Sequence, residues 1–171
     1  MELPTPLITR ESPREIIAAD FASLNGGLPI QGGWGYTKDQ ACIIVKDDPL
    51  VDPSRPFDGV GIEHVFVEKR IHEEMIIFQP RGEQFSGIQW TLLKQSLVHD
   101  DARSYDHLVF EITGFRDADW EALKAEATGP NGFEHPDFDM QAHQNKRQAA
   151  MVRFNRDFWF DITSFFGRRQ G

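Results

Sequence analysis

Residues 88–113 read IQWTLLKQSLVHDDARSYDHLVFEIT, and their periodicity decides the fold. Ile88, Trp90 and Leu92 alternate with their neighbours, and Leu93, Gln95 and Leu97 continue the alternation one position out of phase. One extra residue near Leu92–Leu93 is what a β-bulge inserts into a strand. HDDARS, at 99–104, is a polar turn. Leu108, Phe110 and Ile112 then alternate against His107, Val109 and Glu111. Successive strand residues point to opposite faces, so this stretch predicts one long antiparallel hairpin.

A hairpin with an apolar face must be covered by a second layer. Working upstream, VGIEHVFVEKRIHEEMIIF (60–78) offers one. As a helix it aligns Val60, His64, Val67, Ile71, Met75 and Phe78 in a stripe, with Glu63, Lys69, Arg70, Glu73 and Glu74 mostly elsewhere. This favours a helix over about 62–77, while the β-rich EHVFV within it keeps a hairpin as the competitor.

Downstream, Asp117 is placed to cap a helix over 118–127, with Trp120 and Leu123 inward and Thr128-Gly129-Pro130 stopping it. After the loop GPNGFEHPDFD, Asp137 or Asp139 caps a helix expected to reach about Phe154. Its proposed inner side is Met140, His143, Arg147, Ala150, Met151 and Phe154. FWFDIT (158–163) reads as a last strand, against a helix continuing through Phe165.

Nearer the start, residues 1–11 hold prolines and no periodicity and read as an arm. Ser12-Pro13 with Glu15 opens a helix that Asn25-Gly26-Gly27 ends. The stretch LPIQGGWGYTKDQACIIVK (28–46) follows. Gly32, Gly33 and Gly35 bracket Trp34, and the apolar run Cys42 to Val45 implies a strand buried on both faces. Thr37 and Gln40 have capping-box spacing for a short helical turn. DDPLVDPSRPFDG (47–59) is an acidic surface loop. The sum is an α+β fold, mainly an antiparallel sheet with helices packed on one face. It is read as a single domain over 1–171, with a frayed tail at 167–171.

Composition restricts the function classes. The net charge is −9, spread along the chain, which disfavours nucleic acid because phosphate neutralisation needs basic clusters. It suits a basic protein partner. No stretch approaches the roughly 18 apolar residues of a membrane span, and MELPTPLITRES lacks a charged region leading into an apolar run. Cys42 is the only cysteine, so no internal disulfide is available. The expectation is a cytoplasmic protein without membrane partners.

Candidate chemistry is sparse. The glycine-rich loop has neither a Gly-x-Gly-x-x-Gly pattern nor the Lys-Ser/Thr of a P-loop, and no Gly-x-Ser-x-Gly elbow exists. Two carboxylates sit among apolar strand residues: Glu111 and Asp161. If desolvated, either becomes a candidate general base. Trp34, Tyr36, Trp90 and Phe110, with Phe160, are candidate ring walls of a small-molecule pocket beside the glycine loop. His135, Asp137, Asp139 and His143 mix oxygen and nitrogen donors at short spacing and are candidate metal ligands. The capping role of the aspartates is the simpler reading, and no cofactor is called for. His64, Glu68 and His72 fall i, i+4, i+8, and on a helix the two histidines lie about 12 Å apart along the axis, too far for one ion.

Two functional classes follow. The first is a non-catalytic acidic binding protein that recognises a protein partner, with loop 47–58 as its contact. The second is a small-molecule-binding protein or acid–base enzyme with an aromatic-lined pocket.

Overall fold

The structure is a computed structural model that describes residues 2–167. The predicted hairpin is its backbone: β3 (Phe85–Asp100) pairs antiparallel with β4 (Arg103–Arg116) across a tight turn in which Asp101 takes a positive φ of 53°. The register shifts between Leu92 and Lys94, leaving Leu93 as the extra residue, and again between Ser86 and Gln89. β4 pairs antiparallel with β5 (Val152–Asp161). β5 pairs parallel with β2 (Cys42–Ile44), and β2 antiparallel with β1 (Ile30–Gly32). The sheet order is β1-β2-β5-β4-β3. The class is α+β with a mostly antiparallel sheet, and β2 is an interior strand, as its apolar run predicts.

Leu108, Phe110 and Ile112 of β4 point to the same side as Val152, Phe154, Phe158 and Phe160 of β5, and all are buried. Against them lies α2 (Gly59–His72), which Asp58 caps by accepting from the Gly61 amide at 2.9 Å. A π-helical turn, Glu73–Ile77, continues it, with the Phe78 amide donating to the Glu73 carbonyl. Residues 59–77 are therefore helical. α1 (Pro13–Asp20) lies near β1, and a left-handed Asn25 ends the 3-10 turn that follows it. Gly35, at φ 82°, brings the glycine loop onto β5, where a Cβ would sit 3.0 Å from the Trp159 carbonyl.

α3 (Asp117–Thr128) and α4 (Met140–Ala150) pack at the open end of the hairpin around Phe115, whose ring is 5.2 Å from Trp120. Gly87 is required there: it has φ 58°, and an added Cβ would meet the Trp120 ring at 2.7 Å. Asp117 is the first helical residue and accepts from the Ser86 hydroxyl. "Helices on one face" describes α1 and α2. Phe115 neighbours Gly114, which faces Met75 of the π turn, so α3 and α4 sit at the end of the opposite face.

Two expectations are corrected. α4 stops at Ala150 rather than Phe154, and 152–161 is a strand, not a helix continuing to Phe165. Met151, Phe154, Phe158, Ile162 and Phe165 do hold helical spacing. However, ten paired positions with β4 and the inward Val152, Phe154, Phe158, Phe160 row make the strand the better burial. Of the predicted side that lies within α4, only His143 is buried, while Met140 is 47% exposed.

The buried face of α2 also differs. Val60 is exposed, whereas Glu63, Arg70, Glu73 and Glu74 are buried beside Phe66, Val67, Ile71 and Met75. The π turn adds a residue to one helical turn. That rotates the phase enough to bring Glu73, Glu74 and Met75 inside together.

The arm is irregular, as expected, but tied down. Leu7 is in the core, and the carbonyls of Glu2 and Pro4 accept from Arg116 and Arg156. Residues 168–171 of the expected frayed tail lie outside the described residues, and Gly167 closes a turn. Among the described residues no helix is long and apolar enough to cross a membrane.

Candidate interaction surface and the buried polar network

The polar groups beneath α2 form a network that periodicity alone cannot reveal. The Arg70 guanidinium is fully buried between two rings, 3.8 Å from the Tyr36 centroid and 3.5 Å from that of Phe158. It donates from Nη1 to the Trp34 carbonyl at 3.0 Å, while Nε and Nη2 have no partner. Glu74 accepts from the Tyr36 hydroxyl at 2.5 Å and from Arg156 Nε at 2.6 Å. Burial, with Glu74 adjacent, holds the Tyr36 hydroxyl protonated. Arg70 thus has π-faces above and below, and Glu74 is doubly bonded. This is how a buried charge is tolerated.

Two further acids of α2 and its π turn are buried without cations. Glu63 is 3% exposed, and burial, followed by the neighbouring Asp106, pushes its pKa up to about 9. Burial and Asp20 raise Glu73 to about 8, and neither of its oxygens has a hydrogen-bond partner. At neutral pH both carry a proton, the state desolvation favours. Asp106 meanwhile accepts from Gln95 of β3 at 2.8 and 3.0 Å.

The predicted ring walls do not meet around one cavity. Trp34 is buried and donates from Nε1 to the Glu11 carbonyl at 3.1 Å. Tyr36 faces Arg70, Phe110 and Phe160 lie in the core, and Trp90 packs edge-on to His72 at the sheet edge. A cleft of about 540 Å³ does open beside the glycine loop, bordered by Trp34, Lys38, Arg103, Tyr105 and Asp161. Of the predicted rings, only Trp34 borders it.

The two strand carboxylates are placed apart. Asp161 is buried, and it accepts from Arg103 at 2.8 Å and from the Thr163 amide and hydroxyl at 3.0 and 2.6 Å. Glu111 is half-buried on the face away from α2 and pairs with Arg153 at 2.6 Å. Asp161 lies opposite Tyr105, six residues along β4 from Glu111, which at 3.3 Å per residue is about 20 Å. They do not form one acid–base pair.

The candidate metal ligands are likewise occupied. His135 accepts the Asp137 amide, and Asp139 caps α4 by accepting from the Ala142 amide at 3.0 Å. His143 lies 3.0 Å from Glu126 and packs against Phe133 and Phe138. Among the described residues no three His, Cys, Asp or Glu side chains converge.

In loop 47–58, Asp48 pairs with Arg14 at 2.5 Å, Asp52 binds the Ser54 amide and hydroxyl, and Asp58 caps α2. Three of its four aspartates therefore already have partners within the chain.

The unsatisfied surface lies elsewhere. β3 is the terminal strand, and among the described residues no strand pairs with its outer edge. Leu92, Leu93 and Leu97 on it are 40, 52 and 50% exposed. Lys94 is the only charged side chain from Phe85 to Val98. The leucines were visible in the sequence as a bulged alternation. Their exposure was not, because the sequence does not show that α2 covers β4 and β5 and leaves β3 open from Thr91 onward. The chain matches no protein-family model, and no curated protein or solved structure matches it.

Proposed function

We propose that the protein is a non-catalytic binding domain that recognises a protein partner, taking an extended segment of it along the open edge of β3. The supporting observation is the sixteen-residue terminal strand with three exposed leucines and a single lysine. An edge strand presents unpaired N–H and C=O groups, and long edges are usually shortened, covered or charged to prevent pairing. In strand addition the main chain supplies affinity and alternate side chains supply specificity. The chain's net charge of −9 steers a basic partner toward it. The bonded aspartates of loop 47–58 make that loop a poor anchor, so charge guides the encounter and β3 holds the segment. The lone buried Cys42 fits a reducing, cytoplasmic setting.

A displayed library of random peptides, selected on the protein and on L92K/L97K, tests this. Both leucines are exposed, so the double variant is expected to fold. Alternating apolar and basic sequences should be enriched on the native chain and lost on the variant. Equal selection on the two proteins, or none on either, contradicts the proposal.

The cleft beside the glycine loop favours a second reading, a small-molecule site. Each oxygen of Asp161 already accepts a hydrogen bond, so this reading is of binding rather than acid–base catalysis. Its mark would be a ligand whose binding is weakened by Arg103→Ala and untouched by L92K/L97K.

A further inference from the structure

Resting on the reading of β3 as a protein-binding edge, we infer that the same edge, when no basic partner segment occupies it, takes a second copy of this chain, joined edge to edge about a two-fold axis at Gln95. The bulge makes the strand self-complementary. Leu92, Gln95 and Leu97 lie opposite Phe110, Leu108 and Asp106, so all three share the face toward α2. Thr91, Lys94, Ser96 and Val98 lie opposite Glu111, Val109, His107 and Tyr105 and share the other face.

An antiparallel copy centred on Gln95 sets Lys94 against Ser96 of the second copy. With Leu93 again left as the extra residue, Leu92 meets Leu97 of the second copy, and Leu97 meets its Leu92. Thr91 then meets Val98, and Trp90 meets His99. Every opposed pair shares a face, and no two like charges are directly opposed. Without the bulge, the side chains at 92 and 97 would point to opposite faces and could not pair in this way.

The other sheet edge argues for the same geometry. β1 is only three residues long, so a head-to-tail contact between β1 and β3 would pair three positions. A symmetric β3–β3 contact instead pairs the ten residues 90–99 of the sixteen-residue strand, and it closes at two copies. The ten residues 90–99 span about 33 Å. With a depth of about 10–15 Å, the footprint is about 400 Å² per copy, half the roughly 800 Å² typical of a stable complex. Association should therefore be reversible, with a Kd of micromolar or weaker. The −9 charge on each copy opposes it only weakly, since screening acts within about 8 Å at physiological salt.

Sedimentation equilibrium over about 5–500 μM spans the expected range. The native chain should show a monomer–dimer equilibrium, and L92K/L97K, which sets lysine against lysine, should stay monomeric. L92E/L97K sets glutamate against lysine at both ends and should dimerise again, more weakly as salt rises. A native chain that stays monomeric throughout overturns the inference, as does an L92E/L97K variant no different from L92K/L97K. If the native chain is monomeric while selected peptides still bind β3, the second copy is wrong and the strand-edge reading stands. If the peptides also fail to bind, both fall.

Discussion

Glu63 shows how one residue couples burial to pH. Its pKa in the fold is about 9, against about 4.3 for an unperturbed glutamate. Below the lower value both the folded and unfolded states hold the proton, and the stabilisation is complete. As pH rises toward 9 the unfolded chain loses its proton first, so stability declines across that window. Glu73, at about 8, acts in the same direction. Asp48, held low by its hydrogen bond to Arg14, acts below the window and loses its contribution as pH falls. Urea midpoints between pH 5 and 9 should therefore fall with rising pH for the native chain and fall less for Glu63→Gln. Parallel slopes would show that Glu63 is not the group responsible. Trp34 is the second residue-scale case. Three surrounding glycines let the loop fold tightly and set its ring into the core, 2% exposed. Trp34→Ala should cost about 3–5 kcal/mol in urea unfolding. A near-native midpoint would mean the ring does not anchor the core.

At the scale of elements, legibility tracked the length of a regular period. The β3–β4 hairpin and its bulge at Leu93 could be read because alternation persists over 88–97 on one side of the turn and 107–113 on the other. The α4–β5 boundary could not be read. Phe154 and Phe158 fit both periods, and the choice is made by pairing with β4, a partner supplied by tertiary structure. α2 was legible as a helix but not in its facing. Glu63, Arg70 and Glu74 look like a solvated side until Tyr36, Phe158, Arg156 and Asp106 arrive from other segments to surround them. The π turn is part of that arrangement, and Tyr36→Phe tests it. Losing the hydroxyl leaves one Glu74 oxygen unpaired in the core, which should lower stability by about 1–3 kcal/mol. An unchanged unfolding midpoint would show that the Tyr36–Glu74 bond contributes nothing net.

For the whole molecule, the ring walls and strand carboxylates singled out in the sequence were scattered by the fold. Phe110 and Phe160 went to the core, Trp90 to the sheet edge, and Glu111 and Asp161 to separate ion pairs. What remains unsatisfied is an edge rather than a pocket: a strand with free backbone groups and leucines that no helix covers. Sequence periodicity describes how each strand is sided, but which strand ends the sheet is a property of strand order. That order, β1-β2-β5-β4-β3, depends on β5 inserting between β2 and β4 from the far end of the chain. Thus the leucine alternation was readable, and its functional meaning had to wait for the topology.

Backbone amide NMR through a dilution series, from about 500 to 20 μM, tests the β3 edge most directly, because that range brackets weak association. The account predicts concentration-dependent shifts confined to residues 90–99, and their loss in L92K/L97K. Shifts centred on the glycine-loop cleft or on loop 47–58, with β3 unchanged, would contradict it.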